Sequence, residues 1–244
     1  MDKFEKFCTI IDKLLGEEGC PWDKAQTHKS LKSSFLEECY EMVEAIDLND
    51  MPSLKEELGD VLLHIIMQSK IADKEGHFGI DDVIQGIIDK IVYRHPHVFE
   101  NAVASDSAKA LENWDLLKQK EKGYKSQTEI LQKIPQALPA LLYADKIQSS
   151  AAKTFPVADL ASLIDQAVLR LEALKKSYLE NDDFGNTFEC IGRLLFNIVS
   201  VSKLLEINAE FALTNSSKTF INRFENAENK LLSSCNPHEN IFLL

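Results

Sequence analysis

Apolar residues recur at helical spacing along most of the chain, and this pattern predicts an all-α protein. Only nine glycines occur in 244 residues, and alternating runs typical of β-strands are few. Ser53 is predicted to be the N-cap of the helix that follows it, with Glu56 completing a capping box. Helices are predicted at Phe4–Leu15, from near His28 through residues 37–41, from Ser53 onward, and at Val83–Tyr93, Ser107–Lys122, Leu138–Lys153, Leu160–Leu179, Phe184–Leu205 and Ala209–Leu232.

A polar stretch with two prolines, Gly123–Pro139, interrupts the helical pattern and predicts a domain boundary. Around it the chain shows an internal repeat, because GDVLLHIIMQSKIA at 59–72 parallels GRLLFNIVSVSKLL at 192–205. We therefore predict a domain at 1–122, a linker at 123–136 and a degenerate copy of the first domain at 137–244.

Acidic residues form two clusters within apolar helical patterns of the first domain. One cluster is E-E-x-x-E, with Glu37, Glu38 and Glu41, and the other is E-x-x-D, with Glu57 and Asp60. Residues three and four apart share a helix face, so a turn near residues 48–53 can bring the two clusters together. Like charges at about 4 Å repel by roughly 4 kcal/mol at an effective dielectric near 20. Oxygen ligands of this kind suit Mg²⁺, although an acidic stripe is more often a solvated helix face.

The second copy keeps the apolar frame but loses every one of these acids. Its residues at the corresponding positions are Leu169, Arg170, Ala173, Cys190 and Arg193. Basic side chains at ligand positions repel a divalent ion, so the sequence predicts that only the first copy holds metal.

Cations and an aromatic residue follow the acidic clusters at helical spacing. Lys90 and Arg94 are four residues apart, as are Trp114 and Lys118, so each pair shares a face. Lysine and arginine can bind the outer oxygens of a triphosphate, and the tryptophan can stack on a base. Ordinary surface cations and a core tryptophan are the alternative interpretation. His95 and His97 lack the partners of a zinc site, and a turn that positions Arg94 explains them better.

Charge and cysteine content limit the classes of partner. A net charge of −12 argues against binding of a nucleic-acid polymer, which needs a basic surface. The five cysteines are scattered without a C-x-x-C pair, which favours reduced thiols and a cytoplasmic location. The first residues lack a signal-peptide core, and no apolar run reaches the roughly 18 residues that span a bilayer.

Several motifs together resemble the MazG family of nucleoside triphosphate pyrophosphohydrolases. They are GCPWD at 19–23 with Gln26 and Thr27, LEECYE at 36–41, ELGD at 57–60, RHPHVF at 94–99, NWDLLK at 113–118 and IPQALPALLYADKIQ at 134–148. The resemblance implies an all-α fold of tandem MazG-like helical bundles that usually dimerise. It also implies Mg²⁺-dependent hydrolysis of nucleoside triphosphates, or their deoxy forms, to the monophosphate and pyrophosphate, with Mn²⁺ as an alternative metal.

The resemblance also implies roles for individual residues. Glu37 would orient or deprotonate the attacking water, with Glu38 as its catalytic partner. The metal ligands would be Glu38, Glu41, Glu57 and Asp60, and the substrate would contact Lys90, Arg94, Trp114 and Lys118. The domain at 1–122 would then be the catalytic one, and a non-catalytic helical module that binds a nucleotide or a partner protein is the alternative function.

Overall fold

A computed structural model describes residues 2–100, 102–156, 158–179 and 184–233, and within these ranges it contains helices, turns and loops but no β-strand. This confirms the predicted all-α fold. The chain divides into two compact units at the junction between Glu121 and Lys122. None of the helices described is long and apolar enough to cross a membrane.

The first unit contains seven of the helices that the structure describes. They are α1 (Lys3–Leu15), α2 (Pro21–Lys24), α3 (Leu31–Leu48), α4 (Met51–Lys74), α5 (Ile80–Arg94), α6 (Pro96–Phe99) and α7 (Ser107–Lys122), whose last residue lies past the junction. Its buried core joins apolar residues of α1, α3 and α4, namely Ile11, Leu15, Leu31, Ile66, Met67 and Ile71. The longest of these helices, α4, contributes half of that core and is the element against which α1 and α3 pack.

Polar contacts fix α1 against α4. The Nζ of Lys70 lies 2.8 Å from an oxygen of Asp12, and the Nζ of Lys74 donates to the backbone oxygen of Leu15 at 2.7 Å. The second bond satisfies a carbonyl that the end of α1 leaves without a helical partner. Beyond α1, a Cβ at Gly19 would lie 2.1 Å from the Leu14 carbonyl oxygen, so the chain can pass this helix end only with glycine at that position.

The second unit is also helical in all its described elements. They are α8 (Gln127–Gln132), α9 (Ala140–Ala151), α10 (Leu160–Leu179), α11 (Phe184–Leu204) and α12 (Ala209–Ser233). The segment predicted to be a linker, 123–136, thus contains α8. The catalytic role of the first domain and the degenerate-copy role of the second stay predictions. In this unit α11 packs against α9, α10 and α12. Four cysteines, Cys8, Cys20, Cys39 and Cys190, are free thiols, and Cys235 lies outside the described residues.

Candidate metal and nucleotide site

A short connection turns α4 back along α3. Asn49 adopts a left-handed conformation with φ 55°, and its N–H bonds the carbonyls of Ala45 and Ile46 at the end of α3. Asp50 then caps α4 by accepting from the backbone N–H of Ser53 at 3.2 Å. The prediction of Ser53 as the cap was wrong, because the helix begins two residues earlier with Pro52 in its first turn, where a missing N–H costs nothing.

Three of the predicted ligands converge between these two helices. One carboxylate oxygen from each of Glu38, Glu41 and Glu57 lies within 4.8 Å of the other two. Glu38 and Glu57 are half-buried, whereas Glu41 is exposed. Two helices thus present their acids to one small volume.

Desolvation and neighbouring carboxylates both raise pKa values within this group. Partial desolvation raises the pKa of Glu38 first, the charges of Asp60 and Glu41 raise it further, and a hydrogen bond with Glu57 acts in the opposite direction. Desolvation and then the charges of Glu41 and Glu38 also raise the pKa of Glu57. The largest influences on both groups are desolvation and other carboxylates, so the site favours a bound cation.

Asp60 and Glu37 lie at the margin of the trio. Asp60 is half-buried one turn after Glu57, and its charge acts on both Glu38 and Glu57. Glu37 is exposed, and its influence on Glu38 is the smallest of the named carboxylates. The ligand role of Asp60 and the catalytic role of Glu37 stay predictions.

His64 lies one turn after Asp60 and is 7% exposed. Its Nδ1 is buried without a hydrogen-bond partner among the described residues. Its ring centroid is 5.7 Å from that of Phe35 on α3. Burial lowers the pKa of His64 more than the charge of Asp60 raises it. The imidazole is therefore neutral at neutral pH and adds no charge to the carboxylates.

A second cluster joins α5 to α7. Arg94 is 4% exposed, and its Nε donates to an oxygen of Glu121 at 2.8 Å. Its guanidinium carbon lies 4.9 Å from the centroid of the Trp114 ring, and the Nζ of Lys118 lies 4.9 Å from a Trp114 ring centroid as well. The structure thus brings together three of the four residues predicted to contact substrate. Lys90, the fourth, is half-buried one turn before Arg94 on α5.

Sequence reasoning missed Glu121, which holds Arg94 in place. A carboxylate paired with a buried guanidinium fixes the direction of its planar fork. The available signal was weak: Glu121 lies three residues after Lys118 and so continues the face of α7 that carries Trp114. The RHPHVF segment acts as the predicted turn, because α5 ends at Arg94 and Pro96 opens α6.

Comparison with known proteins identifies a family and several relatives. Residues 26–99 match the MazG nucleotide pyrophosphohydrolase domain. The chain is 38% identical over 226 residues to the nucleoside triphosphate pyrophosphohydrolase/pyrophosphatase MazG of Thermotoga maritima, covering 92% of this chain and 85% of that protein. It is 35% identical over 231 residues to the nucleoside triphosphate pyrophosphohydrolase of Escherichia coli K12, covering 93% and 88%.

A further relative is longer. The chain is 41% identical over 227 residues to the protein YabN of Bacillus subtilis, and this match covers 93% of the chain but only 46% of YabN. The matched domain contains all five acids of the two clusters. The chain therefore belongs to the MazG family of nucleoside triphosphate pyrophosphohydrolases.

Proposed function

We propose that this chain hydrolyses nucleoside triphosphates, or their deoxy forms, to the monophosphate and pyrophosphate, with Mg²⁺ held by Glu38, Glu41, Glu57 and Asp60. The observation that carries the proposal is the carboxylate trio, whose oxygens from α3 and α4 lie within 4.8 Å of one another. The names of the relatives from Thermotoga maritima and Escherichia coli support the same reaction.

The residues present fit a hard divalent cation. Carboxylate oxygens are the ligands that Mg²⁺ prefers. The pKa values of Glu38 and Glu57 are raised first by desolvation and then by neighbouring carboxylates, and a bound cation would offset both effects. When bound, Mg²⁺ or Mn²⁺ would supply charge for the phosphate oxygens and lower the pKa of a coordinated water. No cysteine or histidine takes part in the trio, so the donor set does not favour zinc.

The protein's own groups then position the substrate and move one proton. A carboxylate oxygen of Glu37 would accept a proton from the attacking water as the water oxygen bonds to one phosphorus of the linkage between the α- and β-phosphates. The bond from that phosphorus to the bridging oxygen would break, and the bridging oxygen would leave with the other phosphate group. Arg94 uses its Nε for Glu121, and its Nη groups would donate to phosphate oxygens together with Lys90 and Lys118. Trp114 would contact the nucleoside. Positioning and charge stabilisation provide most of the catalysis in reactions of this kind.

Pyrophosphate release tests the proposal directly. The wild type is incubated with a panel of ribo- and deoxyribonucleoside triphosphates and Mg²⁺, beside Glu38→Gln, Asp60→Asn and the control Asp47→Asn. Asp47 is an exposed acid on α3 outside the trio. We expect release by the wild type and the control and loss of release in the two site variants, with helical content unchanged by circular dichroism.

The alternative is a helical module that binds a nucleotide or a partner protein without catalysis. The second unit favours it, since Arg170 and Arg193 stand at positions where the predicted repeat has acids in its first copy. Absence of pyrophosphate release from the wild type with every nucleotide of the panel would refute the hydrolase and support this module.

We also propose that the chain is a cytoplasmic homodimer. Helix α5 exposes a set of large apolar side chains, namely Val83, Ile87, Ile88, Ile91 and Val92. Contiguous apolar surface of this kind is typical of an interface between proteins. Sedimentation equilibrium should give twice the mass of the chain, and an Ile87→Lys variant should shift the equilibrium towards the monomer.

A further inference from the structure

A groove lies along α10 and α11 in the second unit. Its volume is about 540 Å³, and it is lined by Arg170, Phe188, Glu189, Gly192, Arg193 and Phe196. We call it the arginine groove. Volumes of roughly 300–1,000 Å³ are typical of small-molecule sites. The groove coincides with the positions at which the predicted repeat has lost its carboxylates, since Arg170 aligns with Glu38 and Arg193 with Asp60.

The two arginines of the groove are held differently. Arg193 donates from its Nε to Glu189 at 3.0 Å, one turn earlier on the same helix. The Nε of Arg170 is fully buried, and none of the described residues provides it with a hydrogen-bond partner. An unsatisfied buried donor costs free energy, so a rotation of the Arg170 side chain that brings its guanidinium to an anion in the groove is favoured. One carboxylate accompanies two guanidinium groups, so the groove carries net positive charge in a chain of net charge −12.

Aromatic surface completes the groove. Phe188 is 71% exposed and Phe196 is 44% exposed. The backbone oxygen of Phe196 accepts from Gln148 of α9 at 2.7 Å, which fixes that part of α11. Gly192 lies between Phe188 and Phe196 in sequence. Apart from its chain neighbours and the backbone of its own helix, no described atom lies within 4 Å of a Cβ built there. Planar ligands such as nucleobases stack on exposed aromatic faces.

We propose that the arginine groove binds a mononucleotide, with its phosphate on Arg170 and Arg193 and its base against Phe188 and Phe196, and without a divalent metal. Guanidinium forks recognise phosphate through paired hydrogen bonds. Two cations at the positions of lost ligands repel a metal ion, so this site differs in its chemistry from the carboxylate trio. The inference stands independently of hydrolysis in the first unit.

Calorimetric titration of the full chain in EDTA tests the proposal. The probes are AMP, GMP, CMP, UMP and inorganic phosphate. We expect at least one mononucleotide to bind, and to bind more tightly than inorganic phosphate. Arg170→Gln should weaken this binding by about tenfold or more, because charge-assisted hydrogen bonds are lost. Gly192→Leu should weaken it similarly by filling the groove, and its new side chain enters open space, so the fold should persist.

Arg223→Gln is the matched control, because Arg223 is an exposed arginine on α12 outside the groove. Circular dichroism and thermal unfolding establish that each variant is folded. The proposal is overturned if no mononucleotide binds in EDTA, if binding needs Mg²⁺, if phosphate binds as tightly as every nucleotide, or if Arg170→Gln and Gly192→Leu bind like the control. Pyrophosphate release is a separate measurement, so this inference and the hydrolase can fail independently.

Discussion

The helix pairs α3–α4 and α10–α11 share an apolar frame and differ in charge. Gly59 on α4 and Gly192 on α11 occupy the same position in the aligned segments, and open space surrounds a Cβ built at either. Between the helices, the first pair presents Glu38, Glu41 and Glu57, whereas the second presents arginines to a groove. Packing requires the apolar frame but not the acids, so the acids of the first unit are explained by the proposed metal site and not by the fold.

Lys70 and Lys203 occupy the same position in the two aligned segments but differ in their electrostatic surroundings. Lys70 follows Asp12 by 58 residues, and Lys203 follows Asp145 by the same 58 residues (203 − 145). The hydrogen bond from Lys70 to Asp12 raises the pKa of that lysine. Desolvation lowers the pKa of Lys203 more than the charge of Asp145 raises it, and the Nζ donates to Ser149 at 2.5 Å. The first unit thus has an ion pair where the second has a lysine bonded to a hydroxyl.

The largest loss of pyrophosphate release is expected when an acid of the first unit is replaced by the arginine found at the aligned position of the second unit. Asp60→Arg places a cation at the position aligned with Arg193, where it repels a metal ion and pairs with the carboxylates. Changes that only perturb metal ligands indirectly cost about 10–100-fold, so pyrophosphate release should fall by roughly a hundredfold or more. Asp47→Arg, which makes the same change at an exposed site on α3, is the control. Retained release in Asp60→Arg would show that hydrolysis does not need a carboxylate at position 60.

The pH dependence of stability should also distinguish the two helix pairs. Because the pKa of Glu57 is raised, its stabilising contribution is complete below the ordinary value of 4.5 and is lost as the pH rises through the raised pKa. In EDTA, Glu57→Gln should therefore be more stable than the wild type at neutral pH. The difference should shrink as the pH is lowered towards 4.5. Urea unfolding across this range measures it.

Cys190→Ser, at the position aligned with Glu57, provides the control for that experiment. The sequence places no acid at 169, 170, 173, 190 or 193, so the difference between this variant and the wild type should not depend on pH in the same range. A pH-independent Glu57→Gln effect would mean that neither desolvation nor the neighbouring carboxylates raise the pKa of Glu57 in the folded chain.

The smallest effect concerns the two lysines. Lys70→Met removes an ion pair in which the lysine side chain is 18% exposed and the Asp12 side chain is 54% exposed. Screening by solvent limits the loss, and the free energy of unfolding should fall by about 0.5–1 kcal/mol. Lys203→Met removes a desolvated charge, so it should lower the free energy of unfolding less than Lys70→Met does, or should raise it. Thermal unfolding of both variants measures these differences in stability. A larger loss of stability in Lys203→Met than in Lys70→Met would contradict the prediction.

Helical spacing predicted the long helices and the acids that share one face of α3 and one face of α4, because both depend on residues three or four apart. Helix ends were harder to predict. We expected a helix from near His28, but α3 begins at Leu31, because the backbone N–H of Thr27 donates to Ser30 and the N–H of Ser30 to Thr27 in a separate turn. The helix α8 was not predicted, because its six residues are too few to show a helical period. It falls in the segment predicted to be a linker.

Contacts between distant helices could not be inferred from spacing. Arg94 and Glu121 are 27 residues apart and lie on different helices, so neither the ion pair nor the burial of Arg94 follows from local pattern. The same holds for the unpartnered Nδ1 of His64, whose isolation depends on the packing of α3 against α4.

The tight connection at Asn49 and Asp50 has a consequence for how the ligand set assembles. Glu41 and Glu57 belong to one helical hairpin that is continuous in sequence. Closing so short a segment has a small entropic cost, and proteins rich in local contacts fold fast. We therefore expect the carboxylates to come together early in folding, as soon as this hairpin forms.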